Sequence, residues 1–371
     1  MKKLLLSVIA SIMIAHTAGL SAQNSVAGSD GQSPSRYEQA IRMGREMATR
    51  LISQTGAPGL SVAVAVDGSL VWSEGFGFAD MENRVPVRAH TRFRVGSLSK
   101  LLTAATAARL YEQGLLDLDA PVQRYVPAFP KKEYEITIRQ LAGHLGGIRH
   151  YKQGEYINHR RFDSVVESLK IFQADELVHQ PGAKYLYSTY GYTLISAVIE
   201  GAAKQDFLTC VQQQALRPIN MKGTIADDNI KIIEHRVRFY SRSPDGQLSN
   251  EVYTDNSERW AAGGFLSTAE DLAMFGSAHL KDGFLKPETR SLIFTSQRTA
   301  DGKETSVGIG WRIGRDSQGR RIYHHGGDSI GGRAFLIAYP DSRIVVALLA
   351  NLTRARFAEQ EATKFAELFM N

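Results

Sequence analysis

Residues 94–104 read RVGSLSKLLTA. Ser97 stands where an apolar helical run begins, and Lys100 follows three residues later. Side chains at i and i+3 are neighbours on a helix, so we expect the hydroxyl and the amine to lie within reach of each other. A helix-capping serine followed by a surface lysine gives the same pattern, so the meaning of the motif depends on the rest of the chain.

The amino terminus has the pattern of a secretory signal. Residues 1–22, MKKLLLSVIASIMIAHTAGLSA, carry two lysines, then an apolar stretch, then small residues. A cut near Ala22 would remove two lysines and no acidic residue, which lowers the formal net charge from +6 to +4. The polar residues 23–35 are expected to form a disordered leader. The sequence therefore predicts a periplasmic or secreted protein, without stable membrane insertion because no later segment is long and apolar enough.

Composition narrows the classes of function. The chain has 371 residues, 43% of them hydrophobic, which is enough for a large core in one or two domains. Cys210 is the single cysteine, so it cannot form an intrachain disulfide, and we expect a buried packing thiol. The chain has no His-Glu-x-x-His motif, and we expect neither a metal nor another cofactor. Nucleic acid is not an expected partner of a mildly basic, exported chain.

Strand patterns at both ends of the chain enclose a mostly helical middle. Residues 36–54 have a helical pattern, and residues 60–77 read as two strands joined by a turn at Asp67-Gly68. Helical patterns run from residue 97, with Gly114 ending the first helix, to about residue 290. Strand patterns return in SVGIGWRIG (306–314), RRIYHHGG (320–327), RAFLIAYP (333–340) and RIVVALLAN (343–351), before a helix from about residue 357.

This order predicts an α+β fold with one antiparallel sheet, built from both termini and flanked by helices. A single catalytic unit is expected over residues 36–371. Its sheet subdomain would contain residues 36–90 plus 291–371, and residues 91–290 would form an inserted, mostly helical subdomain.

Two further short stretches accompany the Ser97-Leu98-Ser99-Lys100 motif. They are Tyr187-Ser188-Thr189, within KYLYSTYGYTLISAVIE, and His325-Gly326-Gly327 at the end of an expected strand. Their order and spacing resemble the serine penicillin-recognising hydrolases, which include class C β-lactamases, low-molecular-weight DD-peptidases and related esterases. The resemblance covers nearly the whole mature chain and includes HLGGIRHY (144–151), LLDLDAPV (115–122), AAGGFLSTAEDL (261–272) and GIGW (308–311). It implies a β-lactamase/DD-peptidase-like fold.

The resemblance implies that Ser97 is the nucleophile and forms an acyl-enzyme. A serine hydroxyl needs a base within hydrogen-bond reach. Lys100 is a base only when neutral, so its pKa must lie below the usual value of about 10.4, or Tyr187 must share the proton. In the family the lysine and the tyrosine act as a coupled pair, and which of them holds the proton at each step stays open.

The third motif, His325-Gly326-Gly327, is expected to bind the substrate. The family places one oxyanion donor at the nucleophile's own N–H and a second just past the third motif, here the N–H of Asp328. Gly326 and Gly327 would let a substrate approach the strand closely, as if it extended the sheet.

Two positions depart from the family pattern. Thr189 replaces an asparagine, and His325 replaces the lysine that attracts a substrate carboxylate. A neutral imidazole supplies little charge, but it can donate one hydrogen bond. If it titrates near its reference pKa, the activity should depend on pH between about 5.5 and 7.5. These changes favour a peptidase or esterase acting on a peptide or small-molecule substrate. The alternatives are a β-lactamase or DD-carboxypeptidase, a slow penicillin-binding sensor, or a structural assembly protein that self-associates.

Three other residues have competing interpretations. Ser329 lies in a Gly-x-Ser-x-Gly pattern, which marks a nucleophile elbow only between a strand and a helix, whereas a strand is expected after it. His144 and His150 are expected to be structural residues of a loop near the cleft, not metal ligands.

Overall fold

A computed structural model describes residues 36–370. The expected signal (1–22) and leader (23–35) lie outside the described residues. The strands are β1 Gly59–Val66, β2 Ser69–Asp80, β3 Val85–Pro86, β4 Phe93–Arg94, β5 Ile225–Ala226, β6 Tyr240–Arg242, β7 Leu248–Asn250, β8 Phe265–Ser267, β9 Arg312–Arg315, β10 Arg321–Ser329, β11 Gly332–Tyr339 and β12 Ile344–Ala350.

The helices lie mostly between β4 and β9. The α-helices are α1 Glu38–Thr55, α2 Ser99–Glu112, α3 Ile138–Ala142, α4 Val165–Leu169, α5 Thr189–Ala203, α6 Phe207–Val211, α7 Trp260–Gly263, α8 Ala269–Leu280, α9 Pro287–Ile293 and α10 Glu359–Glu367. Short 3₁₀ turns cover Gly96–Leu98, Val122–Arg124, Arg217–Ile219 and Ser257–Arg259, and a π-helical turn covers Gln212–Leu216. No helix of residues 36–370 is long and apolar enough to cross a membrane.

A large antiparallel sheet confirms the predicted α+β fold. Its seven strands follow the order β3-β2-β1-β12-β11-β10-β9, so amino-terminal and carboxy-terminal strands meet where β1 pairs with β12. Every residue of β1 is buried. Alternate side chains of a strand point to opposite faces. Accordingly, Val62 and Val64 pack in the cluster with α1 and α10, whereas Ala63 and Ala65 pack in the cluster with α2, α5 and α8.

The expected turns follow from local chemistry. Asp67 and Gly68 both adopt positive φ, 51° and 80°, which a two-residue hairpin turn between β1 and β2 requires. Gly114 follows α2 with a φ of 70°.

The strand expected at 306–314 is much shorter than its pattern indicates, because β9 begins only at Arg312. The preceding residues are tied to the helices instead: Ile309 N–H donates to the Ile293 carbonyl at 3.0 Å, and Gly310 N–H donates to the Ala142 carbonyl at 3.3 Å. The boundaries of the two subdomains stay a prediction.

A buried ion pair fixes the start of the Ser97 region. Arg94, on β4, donates from Nε to Asp227 Oδ2 at 2.6 Å and from Nη1 to the Ile330 carbonyl at 2.7 Å. Its guanidinium also lies 3.7 Å from the centroid of the Phe239 ring. Ile330 follows β10 directly, so Arg94 joins the segment before Ser97 to the end of the strand that carries the third motif.

Candidate active site

Ser97 lies in the 3₁₀ turn that precedes α2, not in the first turn of the α-helix itself, which begins at Ser99. Lys100 Nζ donates to Ser97 Oγ at 3.2 Å and to the Ala262 carbonyl at 2.7 Å. The Lys100 side chain is fully buried. That burial, and after it the charge of Arg259, holds the Lys100 pKa well below its usual value of 10.5. Burial therefore favours the neutral amine, whose lone pair can take the Ser97 proton.

Tyr187 reaches the same hydroxyl from the other side. Its OH donates to Ser97 Oγ at 2.7 Å, and Lys100 Nζ lies 4.9 Å from the centroid of the Tyr187 ring. Burial raises the pKa of Tyr187 above its usual 10.0. The phenol therefore keeps its proton while the lysine tends to lose one, and the two groups converge on one serine oxygen with opposite tendencies.

Ser188 places Tyr187 at the start of α5. Its Oγ accepts a hydrogen bond from the Gly191 N–H at 2.9 Å, which caps the helix, and donates to the Arg149 carbonyl at 2.8 Å. Tyr187 is thus the last residue before the cap, held at a fixed entry to the helix.

Two histidines accept hydrogen bonds from the main chain of the second motif, Tyr187-Ser188-Thr189. His144 Nδ1 accepts the Ser188 N–H, and His150 Nδ1 accepts the Thr189 N–H, each at 3.2 Å. The His144 and His150 rings lie 4.4 Å and 5.6 Å from the Tyr187 ring. Burial, followed by the charge of Lys100, lowers the pKa of His144 well below 6.5 and that of His150 to about 4. Both rings are therefore neutral acceptors at pH 7.

His325 differs from the expectation drawn from its sequence position. Its ring is buried, and Nδ1 donates to the Gly326 carbonyl at 2.6 Å, so the free nitrogen is an acceptor rather than the donor expected for the substrate. Burial, followed by the charge of Lys100, lowers the His325 pKa to about 3. The expected titration of this imidazole between pH 5.5 and 7.5 is therefore wrong, because a buried ring stays neutral throughout that interval.

Gly327 lets β10 approach the Ser97 turn. A β carbon at this position would lie 2.0 Å from the Val95 carbonyl oxygen. The sequence predicts that substrate approaches this glycine. In the structure the protein's own main chain, at Val95, occupies that space instead. Gly96 meets the strand from the other side with a φ of 51°, and a β carbon there would lie 2.4 Å from the Asp328 oxygen and 2.9 Å from its nitrogen. The Asp328 main chain therefore lies directly beside the Ser97 turn.

Among residues 36–370, no strand pairs with the last five residues of β10 on the side of β9, next to Ser97. β9 pairs with β10 only from Arg321 to His324, whereas β10 continues to Ser329. Gly326 lines the cleft beside this edge. Unpaired strand edges accept an extended peptide by main-chain hydrogen bonding.

Ser329 itself is followed by a tight turn and β11, so the strand-to-helix context of a nucleophile elbow is absent there.

The cleft has a volume of about 550 Å³. Its walls are formed by the three motifs together with aromatic and basic side chains. The lining residues include Ser97, His150, Tyr151, Tyr156, Tyr187, Thr189, Arg259, Arg312, His324, His325, Gly326, Asp328, Arg333 and Glu359.

Two cleft arginines were missed by sequence reasoning. Arg259 is buried, its guanidinium lies close to the rings of Tyr151 and Tyr156, and it forms an ion pair with Glu258. Arg312 is half-buried and donates to a tyrosine hydroxyl at 3.4 Å, and no carboxylate of residues 36–370 lies within 4 Å of it. No local signal distinguishes these two among the chain's 44 lysines and arginines.

The fold and the arrangement of these side chains define a serine hydrolase of the β-lactamase and DD-peptidase type. A family model described as Beta-lactamase matches residues 38–368, and the chain belongs to that family. It is 33% identical over 399 residues to the human mitochondrial serine β-lactamase-like protein LACTB, covering 82% of this chain and 73% of that protein. It is 26% identical over 326 residues to penicillin-binding protein 4* of Bacillus subtilis, covering 83% and 71%.

Solved structures share the fold. The octameric penicillin-binding protein homologue from Pyrococcus abyssi superposes with a TM-score of 0.75 at 22% identity, covering 88% of this chain and 75% of that one. A D-stereospecific amidohydrolase from Streptomyces superposes with a TM-score of 0.73 at 22% identity, covering 86% and 98%.

Proposed function

We propose that this protein hydrolyses esters or peptide bonds through an acyl-enzyme on Ser97. The observation that carries the proposal is that Ser97 Oγ contacts two groups at once: a phenol that burial keeps protonated and an amine that burial tends to deprotonate. The Tyr187 hydroxyl donates to it at 2.7 Å, and the buried Lys100 amine lies 3.2 Å away. A serine that served only to cap a helix would need neither partner, and the N-cap residues of the 3₁₀ turn and of α2 are Val95 and Leu98, not Ser97.

Neutral Lys100 acts as the base of acylation. It takes the Ser97 proton as Oγ forms a bond to the substrate carbonyl carbon, and the carbonyl electron pair moves onto oxygen. The N–H groups of Ser97 and Asp328 donate to that oxyanion. As the bond to the leaving group breaks, Tyr187 gives its proton to the leaving group and is reprotonated by the Lys100 ammonium. In deacylation, water attacks the acyl carbon and gives its proton to Lys100. The bond to Ser97 Oγ then breaks, the serine oxygen regains a proton through the same pair, and the acid is released.

Labelling with a fluorophosphonate tests the proposal directly. Intact-mass analysis should show one adduct per chain, and peptide mapping should place it on Ser97. An adduct on Ser329, or none, contradicts the assignment. A panel of esters, L-peptides, D-Ala-D-Ala peptides and a chromogenic cephalosporin then identifies the substrate class.

A carboxypeptidase or β-lactam-hydrolysing activity is the second candidate, and Arg312 favours it. β9 places Arg312 opposite His324 in the sheet register, next to the third motif. Its guanidinium, without a carboxylate partner in residues 36–370, supplies the cation that the neutral His325 lacks. A guanidinium can hold a substrate carboxylate through paired hydrogen bonds.

Arg312→Gln should lower kcat/KM for a peptide with a free carboxy terminus by about 10- to 100-fold, the range of one charge-assisted hydrogen bond. The same peptide as its carboxy-terminal amide should change by less than about threefold, because it has no charge to lose. Arg315→Gln is the matched control, since Arg315 is an exposed residue of the same strand outside the cleft. Equal losses on both peptides would refute a carboxylate-binding role for Arg312.

We also propose that the protein is exported and that its mature chain begins near residue 23. The lysine pair and apolar stretch of residues 1–22 support this. Amino-terminal sequencing of the protein from a periplasmic fraction should find a start close to Gln23. An intact Met1 in a cytoplasmic fraction contradicts export.

Two other proposals need separate measurements. A slow penicillin-binding sensor would keep its adduct on Ser97, so the persistence of the acylated mass over hours separates it from an enzyme. An assembly protein would self-associate, which the octameric state of the Pyrococcus abyssi homologue supports. Light scattering of the purified protein measures the molar mass of the particles and so detects self-association.

A further inference from the structure

A second cavity adjoins the active-site cleft beyond the end of β10. It has a volume of about 640 Å³ and is bordered by the segment 354–358 and by Glu361. Four residues line both cavities: Tyr156, Asp328, Arg333 and Ala358. The cleft therefore continues past the third motif instead of ending there.

The unpaired part of β10 lies along the cleft from Arg312 to the second cavity. Arg312 marks one end, because it is paired in register with His324. Asp328 lies four residues further along the strand. At about 3.3 Å per residue, the strand covers about 13 Å between them. The second cavity begins at Asp328, whose N–H is the proposed oxyanion donor, so a chain that follows this edge passes the reacting carbonyl and enters the second cavity.

The second cavity is lined by three arginines and two carboxylates, so its lining has an excess of positive charge. Arg354 and Arg356 are exposed, and no carboxylate of residues 36–370 lies within 4 Å of either guanidinium. Arg333 is different, since it donates to Asp328 at 2.6 Å and twice to the Phe357 carbonyl. Glu361 is engaged by the Ala358 N–H at 2.9 Å. Two guanidinium groups thus remain available to an anion.

The segment that carries these arginines is held in place. Thr353 Oγ1 accepts the Gly331 N–H at 2.6 Å, and Thr353 N–H donates to the Tyr240 carbonyl at 2.9 Å. Arg354 has a φ of 56°, a conformation that costs a residue with a side chain about 1 kcal/mol or more. Glycine would relieve that strain but would remove the charge.

We propose that the second cavity is a remote subsite for an acidic residue of an extended peptide substrate, bound by Arg354 and Arg356. This inference rests on the proposed hydrolase function, because it assigns a substrate class to the same cleft. A guanidinium binds a carboxylate with two parallel hydrogen bonds, so a pair of arginines selects aspartate or glutamate over a neutral side chain.

Peptide binding to the Ser97→Ala protein tests the subsite without turnover. The probes are fluorescein-labelled seven-residue alanine peptides with one aspartate placed at each position in turn, and matched asparagine peptides. Fluorescence anisotropy should find at least one position where aspartate binds about fivefold or more tightly than asparagine, as expected for two partly solvated charge pairs. The preference should weaken as salt is raised from 0.05 M to 0.5 M.

The variant Arg354→Gln/Arg356→Gln should remove this preference. Its control is Arg50→Gln/Arg343→Gln, which lowers the net charge equally but changes exposed residues that line neither cavity. Absence of binding, equal affinities at every position, or equal loss in both double variants overturns the subsite. The fluorophosphonate adduct on Ser97 reports separately on the proposed hydrolase, so the two failures are distinguishable.

Discussion

Ser97→Ala is expected to lower kcat/KM by at least about 10⁴-fold for any ester or peptide that the wild type hydrolyses. The reason is that the variant lacks the atom that forms the acyl bond, and neither neighbouring group can replace it. Loss of a serine nucleophile in other hydrolases costs up to about 10⁶-fold, since the remaining groups act only through it. Burst-phase kinetics with a chromogenic ester, together with the fluorophosphonate mass shift, measure the effect. Both signals should vanish.

The same variant should stay folded. Ser97 is half-buried, and its Oγ accepts hydrogen bonds from Tyr187 and Lys100. Lys100 keeps the Ala262 carbonyl as a partner. Two weakened donors cost about 1–3 kcal/mol, which in a protein of this size lowers Tm by only a few degrees. Residual turnover above about one hundredth of the wild-type rate in a pure, folded preparation would exclude Ser97 as the nucleophile.

Short-range features of this fold are predictable because their causes are local. Asp67-Gly68 predicts a hairpin turn, since both positions need positive φ and these residue types tolerate it. The neighbourhood of Ser97 and Lys100 follows in the same way from the pitch of one helical turn. In each case the residues that decide the outcome lie within four positions of one another.

Long-range packing decides the features that the sequence left open. The strand patterns indicated that both termini share one sheet, but the register of Leu60 against Ala350 depends on which side chains face each covered side. Likewise, nothing near Lys100 indicates that its amine will donate to the carbonyl of Ala262, 162 residues away. The burial that accompanies this contact is also what lowers the pKa of the lysine.

The third motif shows the same limit. His325 was expected to titrate near neutrality, because its reference pKa lies there. Its ring is buried, and burial favours the uncharged form. Arg312, which carries the charge that His325 lacks, belongs to another strand and is recognisable only by its position in the cleft and its lack of a carboxylate partner in residues 36–370.

Lys100 and Tyr187 should behave as one unit in catalysis. Lys100→Met keeps the volume of the buried side chain and removes the base, and Tyr187→Phe removes only the hydroxyl. Each change should lower kcat/KM by at least about 10²-fold, the low end for general acid–base catalysis. Since each group acts on the same Ser97 oxygen, the double variant should lose little more than the more severe single variant. Losses that multiply would show that the two residues act independently.

The pH profile identifies the base of the pair. Lys100 is active when neutral, so kcat/KM should fall as pH decreases through its pKa, which burial and Arg259 hold well below 10.5. His325→Asn is the control, because the His325 pKa of about 3 lies outside the neutral range, and this change should leave the position of the acid limb unaltered. In Lys100→Met, the limb should disappear from the residual activity, whereas Tyr187→Phe should retain it at a lower rate. A limb that persists in Lys100→Met and is lost in Tyr187→Phe would assign the base to the tyrosine, against the direction in which burial shifts the two pKa values.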